Sequence, residues 1–233
     1  MSARDDILGS IRKSLGRSAL AGDDAAQLHQ RLGRPQRNLI PDRTAGRDTA
    51  GLTALFMDKA REFACTVDEV DSFEAVPEAV RAYLSRENLP ARVVQAPALA
   101  DSPDGALDWS AAPTVEVKTG TSDGSEDTSV TPVFAAIAET GTLMLTSDAA
   151  TPTGLNFLPE NHIALVRRSQ MVGPLEDAWA RFRAARAKAD GDGFGMPRTV
   201  NLITGPSRTG DIEQKIQMGA HGPRRLHVII VAD

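Results

Sequence analysis

The sequence predicts an α/β fold with a mostly parallel sheet flanked by helices. Short apolar, β-branched segments alternate with segments of helical periodicity, and this order is typical of a parallel sheet. The clearest case closes the chain, where residues 200–204 and 226–231 have the composition of buried strands bounded by Gly and Pro. Between them, Ile212 and Ile216 share one face of a predicted helix. We therefore expect a βαβ unit here, with ligands beyond the carboxyl ends of its strands.

The N-terminal segment, residues 1–50, is predicted to be a helical arm followed by a loosely structured linker. Ser2 and Asp5 match a capping box, and apolar residues at helical spacing follow until about Gly16. The linker shows little apolar periodicity, and we expect at most one short helix in it, around residues 25–32. The arm could pack on its own chain, on a second copy in a homo-oligomer, or on a different protein.

Residues 51–233 are predicted to form one α/β domain in which helices and strands alternate. The acidic loop at residues 119–129 lacks the ligand spacing of an EF-hand, so we expect a solvated loop there. The last predicted helix should bury Leu175, Trp179 and Phe182. Before the closing unit, the predicted helices are 52–64, 73–86 and 175–188, and the predicted strands are 66–70, 92–95, 114–118, 142–146 and 162–166.

Composition excludes several classes of function. The net charge of −5 and the 4% aromatic content argue against a nucleic-acid-binding protein. One cysteine, Cys65, rules out an internal disulfide and any all-cysteine iron–sulfur or zinc site within one chain. The first 16 residues lack a signal-peptide core, and no segment reaches the ~20 apolar residues that span a bilayer. We therefore expect a cytoplasmic protein without membrane contact.

The first candidate ligand-binding turn contains Ser207, Arg208 and Thr209. At a strand-to-helix junction these residues would direct backbone N–H groups, two hydroxyls and a guanidinium at one point, which suits a carboxylate or phosphate. Two structural alternatives remain open. Arg208 could pair with Asp211 or Glu213 in its own helix, and one of the two hydroxyls could cap that helix.

The second candidate turn contains Glu139, Thr140, Gly141 and Thr142. It joins two apolar segments, and Gly141 permits a close backbone approach. We hypothesise that this turn and the Arg208 turn frame one pocket. Alternatively, Glu139 hydrogen-bonds the backbone of a neighbouring loop.

Two histidines lie near predicted strand ends. His221 could act as a base and Arg224 could bind a carboxylate, but the predicted βαβ unit puts their turn at the opposite sheet edge from Arg208. His221 and Glu139 are the two catalytic candidates that the sequence offers. His162 is expected to be a hydrogen-bonded strand histidine.

The motifs for bound metals and nucleotide cofactors are missing from the sequence. No helical His pair or His–carboxylate motif occurs among the four histidines, so no metal site is predicted. Neither a G-x-G-x-x-G fingerprint nor a Walker lysine motif is present. We therefore expect no cofactor in this chain.

Two long motifs resemble the LUD-domain family, in its lactate utilization protein C (LutC/YkgG) group. The first runs from Ala136 to Val172 and reads AIAETGTLMLTSDAATPTGLNFLPENHIALVRRSQMV; the second runs from Gly205 to Val231 and reads GPSRTGDIEQKIQMGAHGPRRLHVIIV. The N-terminal DDILGSIRKSLG also resembles the opening helix of that family. The resemblance implies a fold similar to the NagB/RpiA/CoA-transferase group.

The resemblance also implies a role in oxidising L-lactate to pyruvate beside two iron–sulfur partner proteins. Without a redox cofactor this chain cannot itself accept the electrons of lactate, so we expect the non-redox component, binding a small carboxylate or phosphate-bearing ligand. One alternative is an enzyme resembling CoA transferases or formyltetrahydrofolate cyclo-ligase, in which a glutamate placed like Glu139 can attack a thioester. Another is a lactate-responsive scaffold or sensor that docks its partners through the N-terminal arm.

Overall fold

The computed structural model describes residues 2–16, 18, 21–33, 35–37, 39–40, 42–101, 106–190, 196–212 and 215–232. In these residues the α-helices are α1 (Ala3–Ser14), α2 (Gly22–Gly33), α3 (Thr49–Glu62), α4 (Val76–Arg86) and α5 (Leu175–Asp190). The strands are β1 (Thr66–Val70), β2 (Arg92–Gln95), β3 (Glu116–Thr119), β4 (Thr128–Pro132), β5 (Ala135–Ile137), β6 (Thr142–Thr146), β7 (Asn161–Arg167), β8 (Met171–Val172), β9 (Val200–Ile203), β10 (Arg208–Ile212), β11 (Lys215–Met218) and β12 (Arg225–Val231).

Helix α1 begins at the predicted capping box, which is confirmed. The Asp5 N–H donates to the Ser2 hydroxyl at 3.3 Å, and the Ser2 N–H donates to the Asp5 carboxylate at 3.1 Å. Ile7 on this helix and Leu15, which follows its last residue, are 61% and 63% exposed. Helix α2 follows in the segment where one short helix is predicted. No helix in the described parts of the chain is long and apolar enough to cross a membrane.

The main sheet has six strands in the order β1-β12-β7-β4-β2-β3, and every neighbouring pair is parallel. The predicted α/β class with a mostly parallel, helix-flanked sheet is confirmed. Side chains alternate between the two faces because successive strand residues point in opposite directions. On β12, Val228 belongs to the core cluster that contains Phe56 of α3, whereas Ile229 belongs to the cluster that contains Val80 of α4.

A second sheet has four strands in the order β8-β5-β6-β9. Strands β5 and β6, and β6 and β9, pair antiparallel, whereas β5 and β8 pair parallel. Helix α5 covers this sheet with Phe182 buried and Trp179 partly buried. The expectation that Leu175 is buried is wrong, because its side chain is 38% exposed at the first position of the helix.

The predicted closing βαβ unit is also wrong. Strand β9 belongs to the second sheet and pairs antiparallel with β6, whereas β12 lies inside the main sheet. Between them, strands β10 and β11 pair antiparallel where the helix was predicted. Two apolar residues four positions apart, such as Ile212 and Ile216, match one face of a helix and also one face of a strand, so their spacing does not distinguish the two.

Candidate ligand-binding site

A cavity of about 330 Å³ opens where the second sheet meets the amino ends of β7 and β12. The opposite, carboxyl edge was the expected place for a ligand. The described lining residues are Asn156, Phe157, His162, Leu202, Ile203, Thr204, Gly205, Pro206, Ser207, Arg208, His221, Gly222, Pro223 and Leu226. The site therefore combines the carboxyl end of β9 with the amino ends of two parallel strands.

The turn after β9 packs closely on the chain that follows α3. Gly205 has φ +77°, and a Cβ atom placed on it would lie 2.4 Å from the Phe63 carbonyl oxygen. The backbone of Gly205 also hydrogen-bonds the thiol of Cys65. Burial raises the pKa of Cys65 to about 11, although this hydrogen bond and the charge of Arg208 oppose the shift. The thiol therefore stays protonated at neutral pH and is a poor nucleophile.

Ser207 ties the two turns of the cavity together. Its N–H donates to the Pro223 carbonyl at 2.8 Å, and its own carbonyl accepts from the Gly219 N–H at 2.8 Å. Its hydroxyl accepts from the His221 N–H at 3.1 Å. The hydroxyl thus caps no helix here. The predicted separation of His221 from the Arg208 turn is wrong, because β9 lies in the second sheet and its end meets the start of β12.

Arg208 and Thr209 begin strand β10 rather than a helix. The Arg208 guanidinium carbon lies 5.7 Å from the centroid of the Phe63 ring, an arrangement that holds the cation at the cavity wall. Thr209 is half-buried and is not among the cavity-lining residues. The alternative pairings of Arg208 with Asp211 or Glu213 fall outside the described side chains.

The electrostatic character of the cavity favours an anion. Its described lining contains Arg208 and two histidines, and no aspartate or glutamate. Leu202, Leu226 and Phe157 supply apolar wall. Such a site could hold a carboxylate by its charge and a small hydrocarbon group by the apolar wall.

His162 is a cavity residue that the sequence did not identify as functional. Its side chain is 1% exposed, and its Nε2 lies 2.7 Å from the Thr131 hydroxyl on β4. Its Nδ1 has no hydrogen-bond partner among the described residues. Burial lowers the pKa of His162 to about 4, so the ring is neutral at neutral pH. A polar residue on the same strand face as the buried Ala164 was the available signal.

Asn156 is a second lining residue that the sequence analysis missed. It lies in the turn before β7, lines the cavity and is 4% exposed. A buried amide in a cavity wall can hydrogen-bond a ligand or hold the loop. No sequence pattern distinguishes these two roles at this position.

The second predicted turn packs on α3 and does not line the cavity. The Glu139 carboxylate lies 3.9 Å from Arg43 Nε, and the Glu139 N–H donates to the Gly173 carbonyl. A Cβ on Gly141, which has φ +66°, would lie 2.7 Å from the Ala60 nitrogen. The close packing of this turn on α3 therefore explains why a glycine is needed at position 141. A ligand contact by the turn stays a prediction.

A chain of threonine hydroxyls links that turn to the cavity. Thr140 Oγ1 lies 2.7 Å from Thr142 Oγ1, which in turn lies 2.6 Å from the Thr204 hydroxyl. Thr204 lines the cavity. The two predicted turns are therefore connected through Thr204, which precedes the turn that contains Ser207 and Arg208.

No group of three or more His, Cys, Asp or Glu side chains within the described ranges is arranged to hold a metal ion. The buried His227, the other histidine of the main sheet, lies outside this cavity lining.

Comparison with known proteins gives a family. A family model described as "LUD domain" matches residues 53–231. The chain is 35% identical over 113 residues to lactate utilization protein C of Geobacillus thermodenitrificans, covering 48% of this chain and 45% of that protein. It is 38% identical over 97 residues to lactate utilization protein C 1 of Bacillus mycoides, covering 42% and 40%. The matched stretch thus spans less than half the length of these relatives.

A solved structure agrees with this family. The crystal structure of a DUF162 family protein from Deinococcus radiodurans superposes with a TM-score of 0.58 at 25% identity. The superposition covers 79% of this chain and 99% of that one.

Proposed function

Because this chain belongs to the LUD domain family, we propose that it is the non-redox component of an L-lactate oxidation system. Two relatives carry lactate utilization in their names, which supports the proposal for this chain. A chain with one cysteine cannot supply four thiolates to a cluster. The electron-accepting iron–sulfur centres would belong to two partner proteins.

The observation that carries the proposal is the cavity with Arg208 at its wall and no acidic side chain in its described lining. A guanidinium can hold a carboxylate through two parallel hydrogen bonds. The apolar side chains of Leu202 and Leu226 offer contact to a methyl group. A phosphate-bearing ligand would use the same cation. Our proposal is that the chain binds and orients the anion, while oxidation takes place with the partners.

Replacing Arg208 by alanine should lower the affinity for L-lactate by about tenfold or more. Losing one charge-assisted hydrogen bond has an effect of this order, and the exposure of Arg208 limits it. Calorimetric titration of the purified full chain with L-lactate and with inorganic phosphate measures the change. Arg208→Lys should recover part of the affinity, because it keeps the charge and loses the planar fork.

Arg224→Ala is the matched control for this experiment. Arg224 is an exposed arginine of the neighbouring turn, lies 3.9 Å from Glu160, and is not among the lining residues of the cavity. The same variants go into a strain lacking the gene, grown on L-lactate or on glucose. If the strain lacking the gene fails to grow on lactate but grows normally when it carries Arg208→Ala, the role of the cavity is refuted. If the strain lacking the gene grows normally on lactate, the assignment to lactate oxidation is refuted.

A second candidate function, docking of partner proteins, has one observation in its favour. Ile7 and Ile11 of α1 are 61% and 49% exposed, and Leu15, which follows the helix, is 63% exposed. Glu139, by contrast, lies against Arg43 outside the cavity lining, which gives the CoA-transferase-like alternative no such support.

Deleting residues 1–16 tests the docking candidate. None of the residues of α1 is buried, so the truncated chain should unfold at an unchanged temperature. If α1 is a docking element, the deletion abolishes co-purification with the iron–sulfur partners, whereas replacing exposed Arg12 by alanine leaves it intact. Full co-purification of the truncated chain would exclude this role for α1.

A further inference from the structure

The unpaired nitrogen of His162 is the feature from which we go further. His162 belongs to the cavity lining and its side chain is 1% exposed, yet its Nδ1 has no hydrogen-bond partner in the described part of the chain. Buried polar atoms without a partner are rare in folded proteins because they lose hydration and gain nothing in return. The unpaired nitrogen of a residue that lines a cavity is therefore expected to find its partner in the occupant of that cavity.

The other ring nitrogen is already fixed. His162 Nε2 lies 2.7 Å from the hydroxyl of Thr131, whose side chain is 3% exposed. A neutral imidazole has one N–H donor and one acceptor nitrogen. If the Thr131 hydroxyl donates to Nε2, then Nδ1 carries the hydrogen and donates. If Nε2 donates, then Nδ1 accepts, and a hydroxyl group can satisfy either state.

We infer that His162 is a specificity residue whose Nδ1 hydrogen-bonds an uncharged oxygen substituent on the anion that Arg208 holds by its carboxylate. Thr131 is the positioning residue that orients the ring. The inference rests on the proposed function, since it assumes that the cavity binds a small carboxylate. It adds the residue by which the site distinguishes a hydroxy acid from the same acid without its hydroxyl.

The physical environment of His162 fits this role. With a pKa lowered to about 4 by burial, the ring stays neutral and does not compete with Arg208 for the carboxylate. A 2-amino acid would bring an ammonium group into a cavity whose described lining has no acidic side chain to balance it. The site should therefore bind L-lactate in preference to both propionate and alanine.

The test compares the affinities of the full-length protein for L-lactate and propionate, which differ by one hydroxyl. Wild type should prefer L-lactate by on the order of tenfold, the worth of one neutral hydrogen bond plus an unpaired nitrogen. An asparagine amide is bonded to Cγ, as Nδ1 is, whereas a glutamine amide reaches the position of Nε2. His162→Asn should therefore retain most of the preference, and His162→Gln should abolish it.

Each outcome decides the matter. A wild-type protein that binds both acids equally would overturn the specificity role and leave the proposed function standing. A protein that binds neither acid would overturn both. An equal preference in His162→Asn and His162→Gln would also overturn the role. Thr131→Val covers the case in which both His162 variants unfold: it retains Nδ1 but frees the ring, so the preference should fall, and an unchanged preference would refute the inference.

Discussion

A Gly205→Ala variant is expected to lose ~3–5 kcal/mol of folding free energy, a large loss for one methyl group. The residue has φ +77°, which L-amino acids with a Cβ adopt at a cost. The new Cβ would also lie 2.4 Å from the Phe63 carbonyl oxygen and 3.1 Å from the Phe63 Cβ. The Phe63 backbone cannot easily move away, because its N–H donates to the Lys59 carbonyl at the end of α3.

Gly124→Ala is the matched control for the steric part of this effect. Gly124 also has positive φ, +92°, but a Cβ there would meet no atom within 4 Å. The Gly124→Ala variant should lose only the folding free energy that a Cβ costs at positive φ, about 1–2 kcal/mol. Urea unfolding of the two variants and wild type gives the comparison. Equal losses in both would show that the contact with Phe63 relaxes at no cost.

The same substitution should weaken ligand binding. Gly205 precedes Ser207 and Arg208 on one turn, so relief of the clash displaces both from the cavity wall. At a temperature where the variant is still folded, its affinity for L-lactate should fall at least as much as that of Arg208→Ala. This result would identify the turn, and not the guanidinium alone, as the structural unit of the site.

The strands were predictable from sequence because their burial dictates their composition. Residues 66–70 and 142–146 are strands at the predicted positions, since β-branched runs between turn residues favour strands. The membership of β9 in a second sheet was not predictable, because a short apolar strand has the same composition in parallel and antiparallel pairing. The pattern of Ile212 and Ile216 then favoured a helix that the chain does not form.

The candidate site was predictable only in part for the same reason. The sequence predicted that Ser207 and Arg208 lie in a binding turn, and both line the cavity. His221 was predicted to lie at the opposite sheet edge from Arg208 because a βαβ unit requires it. In the structure, where no such unit forms, both residues line the cavity. His162 comes from a distant strand, and only the fold shows that this residue lines the cavity while its Nδ1 lacks a partner among the described residues.

The stability of the protein is expected to fall steeply as the pH drops from 6.5 towards 4. Burial lowers the pKa values of His162 and His227 from 6.5 to about 4 in the folded chain. His227 is 0% exposed, stacks on the Tyr83 ring at 4.0 Å, and has Nδ1 2.8 Å from the Thr66 hydroxyl. Its Nε2 lies 3.6 Å from the Asp68 carboxylate, which opposes the shift without reversing it.

The sign follows from which state binds more protons. Between pH 6.5 and 4 the unfolded chain protonates both histidines and the folded chain does not, so each step down in pH favours unfolding. Above pH 6.5 both histidines are neutral in the folded and in the unfolded chain, so their contribution to stability is constant. Each histidine can remove up to about 3 kcal/mol across this window.

Urea unfolding at a series of pH values from 7.5 to 4.5 measures this slope, and two variants assign it. His227→Phe keeps an aromatic ring against Tyr83 and removes one titrating group, so the slope should fall by about half. His162→Asn should remove the other half. If neither variant flattens the pH dependence, the loss of stability in acid must come from carboxylates. That result would refute the prediction that the lowered pKa values of His162 and His227 cause it.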